Sequence, residues 1–231
     1  QQTEKDASAC LHVNRPGDIE LTRAAIDLCA LNEGANVLDI ACGAGGTMEL
    51  LVREYHLNAV GLARSADMLQ RGLSGQILPL VQADCAEIPL ERGSQDAVFM
   101  ECAFSLAGDP LRTLLGVRRV LKPSGVLVLT DIYIREVQNP ADVMVLSASD
   151  CLAGVMTEAG IRSWIAEAGF QVTAWLDQTP ALKRWMAEKI IQLGSAREFY
   201  RLFLKQPSDS DGEGFPAGVK LGYYLLIATV V

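Results

Sequence analysis

A short apolar strand that runs into a glycine-rich turn limits what this chain can fold into more than any other feature. Residues 36–40 form the apolar run of a buried strand and carry Asp39 near its end. Small residues follow at 41–45, and a helical pattern starts at Gly46. Small residues permit a tight turn close to a ligand, and free N–H groups at a helix start attract polar groups. The segment therefore predicts a ligand-binding turn after the first strand.

Strand and helix patterns alternate along most of the 231 residues. The predicted strands are 36–40, 59–63, 77–81, 97–102, 125–133, 171–175 and 221–231, and the predicted helices are 18–31, 46–56, 65–73, 110–121, 157–169 and 179–194. Such alternation predicts an α/β fold with a mainly parallel sheet covered on both faces. Ligands of these sheets bind beyond the carboxyl ends of the strands, where the strand order reverses.

The sequence does not match the motifs of two common ligand classes that bind to a similar turn. A dinucleotide motif G-x-G-x-x-G starting at Gly43 requires a third glycine at the position of Met48, and no acidic residue ends the second strand. A phosphate-binding P-loop requires Gly-Lys-Ser or Gly-Lys-Thr, which the segment lacks. A nicotinamide-dependent oxidoreductase is therefore disfavoured.

The composition limits the binding partners that we expect for this chain. The net charge is −8 and no basic run is present, which disfavours nucleic acids and anionic membranes because phosphate neutralisation supplies most of such affinity. No apolar run reaches the roughly 18 residues of a membrane span, and residues 1–8 do not resemble a signal peptide. The six cysteines and two histidines show no zinc spacing. We expect a cytoplasmic protein with reduced thiols, no bound metal and a small-molecule substrate.

Five segments in order and spacing resemble the motifs of class I S-adenosylmethionine (SAM)-dependent methyltransferases. They are VLDIACGAGG at 37–46, AVGLARSADML at 59–69, QADCAEIPL at 82–90, DAVFMEC at 96–102 and RRVLKPSGVLVLTD at 118–131. The resemblance covers about residues 15–175 and includes the last strand. It implies a Rossmann-like α/β fold, with a mostly parallel seven-stranded sheet and an antiparallel last strand. It also implies one domain over 1–231, with an N-terminal lid and helix (1–30), a SAM-binding core (35–135) and a C-terminal part with a helical insertion (136–231).

The resemblance also implies the residues that bind SAM. Asp39 would reach the methionine amino group, and Asp84 would accept a hydrogen bond from the adenine amine. The other implied contacts are Ala41, Cys42, Gly43 and Gly45 at the methionine and ribose end, Ala63 and Arg64 after the second strand, Met68 on the adenine face, the Cys85 N–H at the adenine ring, and Glu101 and Cys102 near the sulfonium.

Two positions depart from the family pattern. Ala63 stands where the family has an acidic residue that binds both ribose hydroxyls, a loss worth about 2–3 kcal/mol unless Arg64 or Ser65 compensates. Ala41 replaces a glycine of the first motif. We expect this second change to be mild, because alanine is tolerated where φ is negative.

Methyl transfer from SAM is an in-line displacement that depends mainly on alignment, so it needs neither a metal nor a catalytic triad. Asp131 and Tyr133 at the end of the fifth strand are candidate catalytic residues, and Asp131 is alternatively a loop anchor. Residues 12–17, including His12, are a candidate lid.

Cys151 begins a Cys-Leu-Ala-Gly segment that is similar to a segment of arsenite methyltransferases, in which that cysteine binds the metalloid. A small buried cysteine is the alternative. The sequence thus predicts a SAM-dependent methyltransferase of a small molecule. An arsenite-type methyltransferase and a SAM-binding scaffold without turnover stay open, as do the acceptor and the oligomeric state.

Overall fold

Seven strands form one sheet in the order β3-β2-β1-β4-β5-β7-β6. In the computed structural model, residues 15–43, 45–64, 79–138, 152–204 and 218–231 are described, except for the side chain of Leu204. The strands are β1 (Asn36–Ile40), β2 (Asn58–Ala63), β3 (Leu80–Gln82), β4 (Gln95–Glu101), β5 (Leu121–Val137), β6 (Phe170–Asp177) and β7 (Val219–Val230).

The first five strands are parallel, and β7 runs antiparallel between β5 and β6. The predicted mostly parallel sheet with an antiparallel last strand is therefore confirmed. Strands β1, β2 and β3 extend to one side of the sheet and β4 and β5 to the other, so the strand order reverses between β1 and β4. This is where the fold opens a crevice beyond the carboxyl ends of the strands.

Six α-helices lie within the described residues. They are α1 (Asp18–Cys29), α2 (Gly46–Arg53), α3 (Pro110–Val120), α4 (Glu158–Glu167), α5 (Thr179–Leu193) and α6 (Ala196–Leu204). Asp109 caps α3 by accepting the Arg112 N–H, with a proline at the first helical position, and Thr157 caps α4 by accepting the Gly160 N–H. These caps explain why both helices start where the sequence predicts.

Helices cover both faces of the sheet. One buried cluster joins α1, α2, α5 and α6 to residues such as Val37 and Phe99, and a second joins α3 and α4 to residues such as Leu38 and Val98. Successive strand residues alternate between the two clusters because side chains of a strand point to opposite faces. None of the described helices is both long and apolar enough to cross a membrane.

Helix α6 was not predicted, because Gly194, with φ 81°, ends α5 and suggests a loop beyond it. The signal for α6 is the pair Phe199 and Phe203, spaced i, i+4 and buried against Trp185. Strand β5 also extends beyond the predicted 125–133, because β7 pairs with it as far as Val137. The predicted helix at 65–73 lies outside the described residues, and the single domain over 1–231 stays a prediction.

Candidate functional site

The carboxyl ends of β1 and β4 lie side by side at the reversal of strand order. Asp39 pairs in register with Phe99, two residues before Glu101 ends β4. Asp39 and Glu101 therefore lie on the same face of neighbouring strands, the face that α1 and α2 cover. The structure thus brings together two carboxylates that the resemblance assigns to the cofactor.

A guanidinium and two hydroxyls surround Glu101, and we call Arg15, Thr22, Thr47 and Glu101 the Arg15 cluster. Thr22 in α1 and Thr47 in α2 each donate a hydrogen bond of 2.8 Å to the carboxylate. The Arg15 Nη2 atom lies 2.7 Å from Glu101 Oε2, and it also donates to both threonine hydroxyls. The Glu101 side chain is only 4% exposed, so this ion pair is largely shielded from water.

Asp39 is also buried, yet its hydrogen bonding is incomplete among the described residues. Its residue is 2% exposed, and Oδ2 is buried without a hydrogen-bond partner among the described residues. Burial and the neighbouring Glu101 charge raise the pKa of Asp39, while the Arg15 charge opposes the shift. A buried carboxylate oxygen without a donor is costly, which favours a ligand that donates to it.

The turn after β1 is fixed by main-chain hydrogen bonds. The Ala41 and Cys42 N–H groups both donate to the Leu62 carbonyl of β2, at 2.7 and 3.2 Å, and the Gly45 N–H donates to the Cys42 carbonyl at 2.8 Å. These three N–H groups, which precede the helix start at Gly46, therefore face the protein and not a ligand.

Ala41 adopts φ 61°, and the expectation of a negative φ at this position is wrong. Both Ala41 and Cys42 donate to one carbonyl, which bends the chain sharply and imposes the left-handed region on Ala41. Left-handed backbone costs an L-residue roughly 1–2 kcal/mol, so alanine in place of the family glycine is a strained substitution.

Close packing under the turn depends on Gly61 of β2. A Cβ atom at this position would lie 2.3 Å from Met48 Sδ and 2.8 Å from Cys42 Sγ. The Cys42 side chain is thus directed into the core, and burial raises the pKa of its thiol to about 12. Its proposed contact with a cofactor therefore falls to the main chain.

The ends of β2 and β3 hold the remaining described cofactor candidates. Ala63 is buried at the end of β2, and the Arg64 carbonyl accepts a hydrogen bond from the Gln82 side chain at 3.2 Å. Asp84 is exposed and accepts the Ala86 N–H at 2.9 Å, while the Cys85 thiol lies 3.7 Å from the Thr113 hydroxyl. This edge presents Asp84 as an exposed carboxylate, but no acidic side chain ends β2.

Cys102 directly follows β4 in a left-handed conformation, with φ 52°. Its thiol and the Tyr223 hydroxyl share a hydrogen bond of 2.9 Å, and Tyr223 also donates to the Thr130 hydroxyl at 3.2 Å. Burial raises the pKa of Cys102 to about 12, so the thiol is protonated at neutral pH. Tyr223 was not predicted, because β7 brings it to the crevice from far along the chain.

Asp131 is placed as an anchor. It is 2% exposed and accepts hydrogen bonds from the Ser105 N–H, the Ser105 hydroxyl and the Ile132 N–H, at 2.8, 3.0 and 2.7 Å. The first two bonds fix the short 3₁₀ turn Phe104–Leu106 after β4. Both oxygens are therefore occupied, which favours the anchoring alternative over a catalytic base.

Tyr133 is buried among aromatic rings. Its ring meets Trp175 edge-on at 5.4 Å and Tyr224 at 5.9 Å, while Trp175 stacks on Tyr224 at 4.5 Å. Such packing is typical of a core aromatic. It lies on the face opposite Asp39, in the second buried cluster, so the structure does not bring Tyr133 to the Arg15 cluster.

Three further candidates, His12, Met68 and Cys151, lie outside the described residues, as does Ser65. The described part of the chain contains no group of three or more histidine, cysteine or acidic residues that could hold a metal ion.

The Arg15 cluster was missed by sequence reasoning, although one signal pointed to it. Thr22 falls on the same predicted helix face as the apolar Ile19 and Ile26, and a polar residue within an apolar stripe needs a buried partner. That partner is Glu101, which the sequence cannot place against α1.

The described residues fit an adenosyl cofactor with one exception. A buried carboxylate oxygen without a donor lies beside a tight glycine-rich turn, at the reversal of strand order, and Asp84 offers an acceptor two strands away. Ala63 supplies no ribose carboxylate. A seven-stranded sheet of this order with such a turn defines the class I methyltransferase fold.

Comparisons with known proteins agree with this class. Residues 38–129 match the family model described as a methyltransferase domain. This segment therefore carries a methyltransferase domain. The predicted resemblance to class I SAM-dependent methyltransferases, the Rossmann-like fold and the cofactor class are confirmed.

Individual relatives are distant. A dimethylglycine N-methyltransferase of Parasynechococcus marenigrum is 25% identical over 70% of this chain and 60% of its own. An arsenite methyltransferase of Halobacterium salinarum is 23% identical over 69% of this chain and 44% of its own. The solved structure of a Haemonchus contortus phosphoethanolamine N-methyltransferase 2 in complex with SAM has a TM-score of 0.76 and 19% identity, covering 100% of this chain and 57% of that one. The chain spans less than two thirds of the length of the curated relatives it matches.

Proposed function

We propose that the chain transfers a methyl group from SAM to a small-molecule acceptor. The observation that carries the proposal is the buried Asp39 oxygen beside the glycine-rich turn that has no partner in the described part of the chain, since a ligand with a cationic donor would satisfy it. The family match over residues 38–129 supports the same reading. The net charge of −8 supports a small acceptor over a nucleic acid.

Residues from several strand ends would hold the cofactor. Asp39 would accept from the amino-acid end, the main chain of residues 41–45 would line the methionine and ribose, and Asp84 would accept from the adenine. When bound, SAM supplies a methyl group already activated by the sulfonium. The protein then needs chiefly to align the acceptor, which can contribute roughly 7–11 kcal/mol.

Proton transfer receives little support from the described residues at the end of β4 and β5. Glu101 is fully engaged by Arg15 and two threonines, Asp131 by Ser105 and Ile132, and the Cys102 thiol keeps its proton at neutral pH. This arrangement suits acceptors whose lone pair is free at neutral pH, such as a trivalent metalloid, or an amine that releases its proton to water before it attacks the methyl group. The names of two relatives, a dimethylglycine and an arsenite methyltransferase, contain one acceptor of each kind.

Binding and turnover test the proposal separately. Calorimetry with S-adenosylhomocysteine should show micromolar binding to the wild type and weaker binding to Gly43→Val and Asp84→Ala. The loss expected from Gly43→Val follows from its left-handed φ of 54°, which a β-branched residue rarely adopts. Unchanged affinity in both variants would remove the site assignment.

Turnover is measured as S-adenosylhomocysteine formed from SAM with a panel of acceptors that includes dimethylglycine, phosphoethanolamine and arsenite. Product formation with any member supports the proposal and identifies the acceptor class. The SAM-binding scaffold is the alternative that Ala63 motivates, and it predicts binding of SAM with no product from any acceptor of a broad panel.

A further inference from the structure

Two buried polar atoms at the same end of the sheet lack partners among the described residues. One is Oδ2 of Asp39, and the other is Nε of Arg15. The two side chains are close enough to influence each other electrostatically, and Arg15 also contacts Glu101 on the neighbouring strand. One atom needs a donor and the other needs an acceptor, so a ligand that carries both would satisfy the pair.

The guanidinium is fixed in place. Its Nη2 atom contacts Glu101 Oε2 and the hydroxyls of Thr22 and Thr47, three partners from β4, α1 and α2. Because these partners hold one end of the planar group, the position of Nε–H is determined as well. Arg15 is thus preorganised, while none of the described residues accepts a hydrogen bond from its Nε–H.

A tight turn at residues 15–18 directs the Arg15 side chain back over α1. Pro16 is buried, Gly17 has φ 83°, and a Cβ atom at Gly17 would lie 2.7 Å from Leu21 Cβ. The Asp18 N–H closes the turn on the Arg15 carbonyl at 3.0 Å. Only glycine fits this turn, which brings Arg15 to Thr22, seven residues further along the chain.

We propose that Arg15 and Asp39 together bind the amino-acid end of the methyl donor, with Arg15 Nε–H donating to its α-carboxylate and Asp39 Oδ2 accepting from its α-ammonium. This assignment rests on the proposed function and names a residue that holds the carboxylate. Glu101 is then a positioning residue, because it acts on the ligand through the guanidinium it orients. The Arg15 charge also offsets part of the repulsion between Asp39 and Glu101.

Three ligands separate the contacts without any mutation. S-adenosylhomocysteine carries both charged groups, S-adenosyl-3-thiopropylamine lacks only the carboxylate, and 5′-methylthioadenosine lacks both. The wild type should bind S-adenosylhomocysteine about tenfold to a hundredfold more tightly than the thiopropylamine, by the usual strength of a charge-assisted hydrogen bond. Equal affinities for these two ligands would overturn the assignment of the carboxylate to Arg15.

Variants then locate the contact. Arg15→Gln should weaken the binding of S-adenosylhomocysteine by about tenfold or more. Its affinity for 5′-methylthioadenosine should stay within about twofold of the wild-type value. The double variant Arg15→Gln with Glu101→Gln serves as the matched control, because it removes the buried charge that the single variant leaves unpaired. The double variant should show the same selective loss, with its fold verified by thermal unfolding.

The outcomes distinguish this inference from the proposed function. If the wild type binds none of the three ligands, the proposed function fails. If the wild type binds S-adenosylhomocysteine but the single and double variants bind all three ligands more weakly by the same factor, Arg15 has only a structural role and the inference fails. Loss of the preference for the carboxylate in the variants, together with weaker thiopropylamine binding in Asp39→Asn, supports both halves of the assignment.

Discussion

Two buried aspartates at the carboxyl end of the same sheet, Asp39 and Asp131, are each 2% exposed but differ in their hydrogen bonding. Asp131 accepts three hydrogen bonds from Ser105 and Ile132. Asp39 has an oxygen with no partner among the described residues. They lie on opposite faces, because their neighbours along each strand belong to the two different buried clusters.

The contrast separates a structural carboxylate from a binding one. A fully bonded buried carboxylate stabilises the loop that surrounds it, and its removal exposes several unsatisfied donors. An unpaired one destabilises the ligand-free protein and becomes favourable only when a ligand supplies the donor. Changes around Asp131 should therefore alter stability, and changes at Asp39 should alter binding.

The largest effect is expected at Gly154, which packs against the turn that Asp131 anchors. A Cβ atom there would lie 2.3 Å from the Ser105 carbonyl oxygen, and the main chain would have to move. Gly154→Ala should lower the free energy of unfolding by about 3–4 kcal/mol, measured by chemical denaturation.

The matched control for Gly154 is Gly160→Ala in α4, where the nearest atom to a new Cβ lies at 3.5 Å. Alanine inside a helix should stabilise the protein by about 0.5–1 kcal/mol. A loss of equal size in both variants would show that Ser105 and its turn are not a tightly packed anchor.

The second-largest effect is expected in the pH dependence of stability, which should reveal the titration of Asp131. Burial raises its pKa from 3.8 to about 6, so the folded state keeps the proton to higher pH than the unfolded state. Its contribution to stability is complete below about pH 4 and is lost as the pH rises through 6. Relative to the wild type, Asp131→Asn should therefore gain up to about 3 kcal/mol between pH 4 and 7.

Denaturation curves of both proteins at four or five pH values measure this difference. Asp96→Asn, analysed in parallel, is the control, because desolvation of Asp96 is outweighed by hydrogen bonds from Lys122 and Asn36, which lower its pKa, so that this variant should not gain stability relative to wild type as the pH rises. A constant difference between Asp131→Asn and wild type across the range would contradict the raised pKa.

At Asp39 the signs of the effects on stability and binding should oppose each other. Asp39→Asn removes a buried acid that Glu101 repels and whose Oδ2 lacks a partner among the described residues, so it should raise the unfolding free energy of the ligand-free protein by about 1 kcal/mol. The same change should weaken the binding of S-adenosylhomocysteine by about thirtyfold, or about 2 kcal/mol, because the ligand's ammonium group loses its carboxylate partner.

Asp96→Asn is the control for Asp39, since Asp96 is the second residue of β4, near the opposite end of the sheet, and is paired with Lys122 at 2.7 Å. It should lower stability without changing the affinity. If Asp39→Asn lost stability and kept its affinity, the distinction between the two aspartates would be lost.

Local signals in the sequence were sufficient for most of the fold. The strand, turn and helix of residues 36–53 follow from an apolar run, small residues and a helical period, each readable within a few positions. The caps at Asp109 and Thr157 are equally local. These features were predictable because they depend on neighbours in the chain.

The missed parts of the site depend on contacts between distant residues. Thr22 meets Glu101 from 79 positions away, and Cys102 meets Tyr223 from 121 positions away. Nothing near Asp39 in the sequence distinguishes its free oxygen from the bonded oxygens of Asp131, because the partners of each come from other strands and loops. The left-handed backbone of Ala41 was missed for the same reason, since the Leu62 carbonyl on β2 imposes it.

The smallest predicted effect tests the strain in the binding turn. Ala41→Gly should raise the unfolding free energy by about 1 kcal/mol, because glycine adopts φ 61° without penalty. Ser124→Gly, at φ 62° and outside the crevice, is the matched control and should gain a similar amount. Only Ala41→Gly should also change the affinity for S-adenosylhomocysteine, by a few-fold at most, as its main chain lines the proposed site. Stability unchanged at Ala41 but increased at Ser124 would mean that the binding turn is relaxed, and that strain in this molecule is not concentrated beside Asp39.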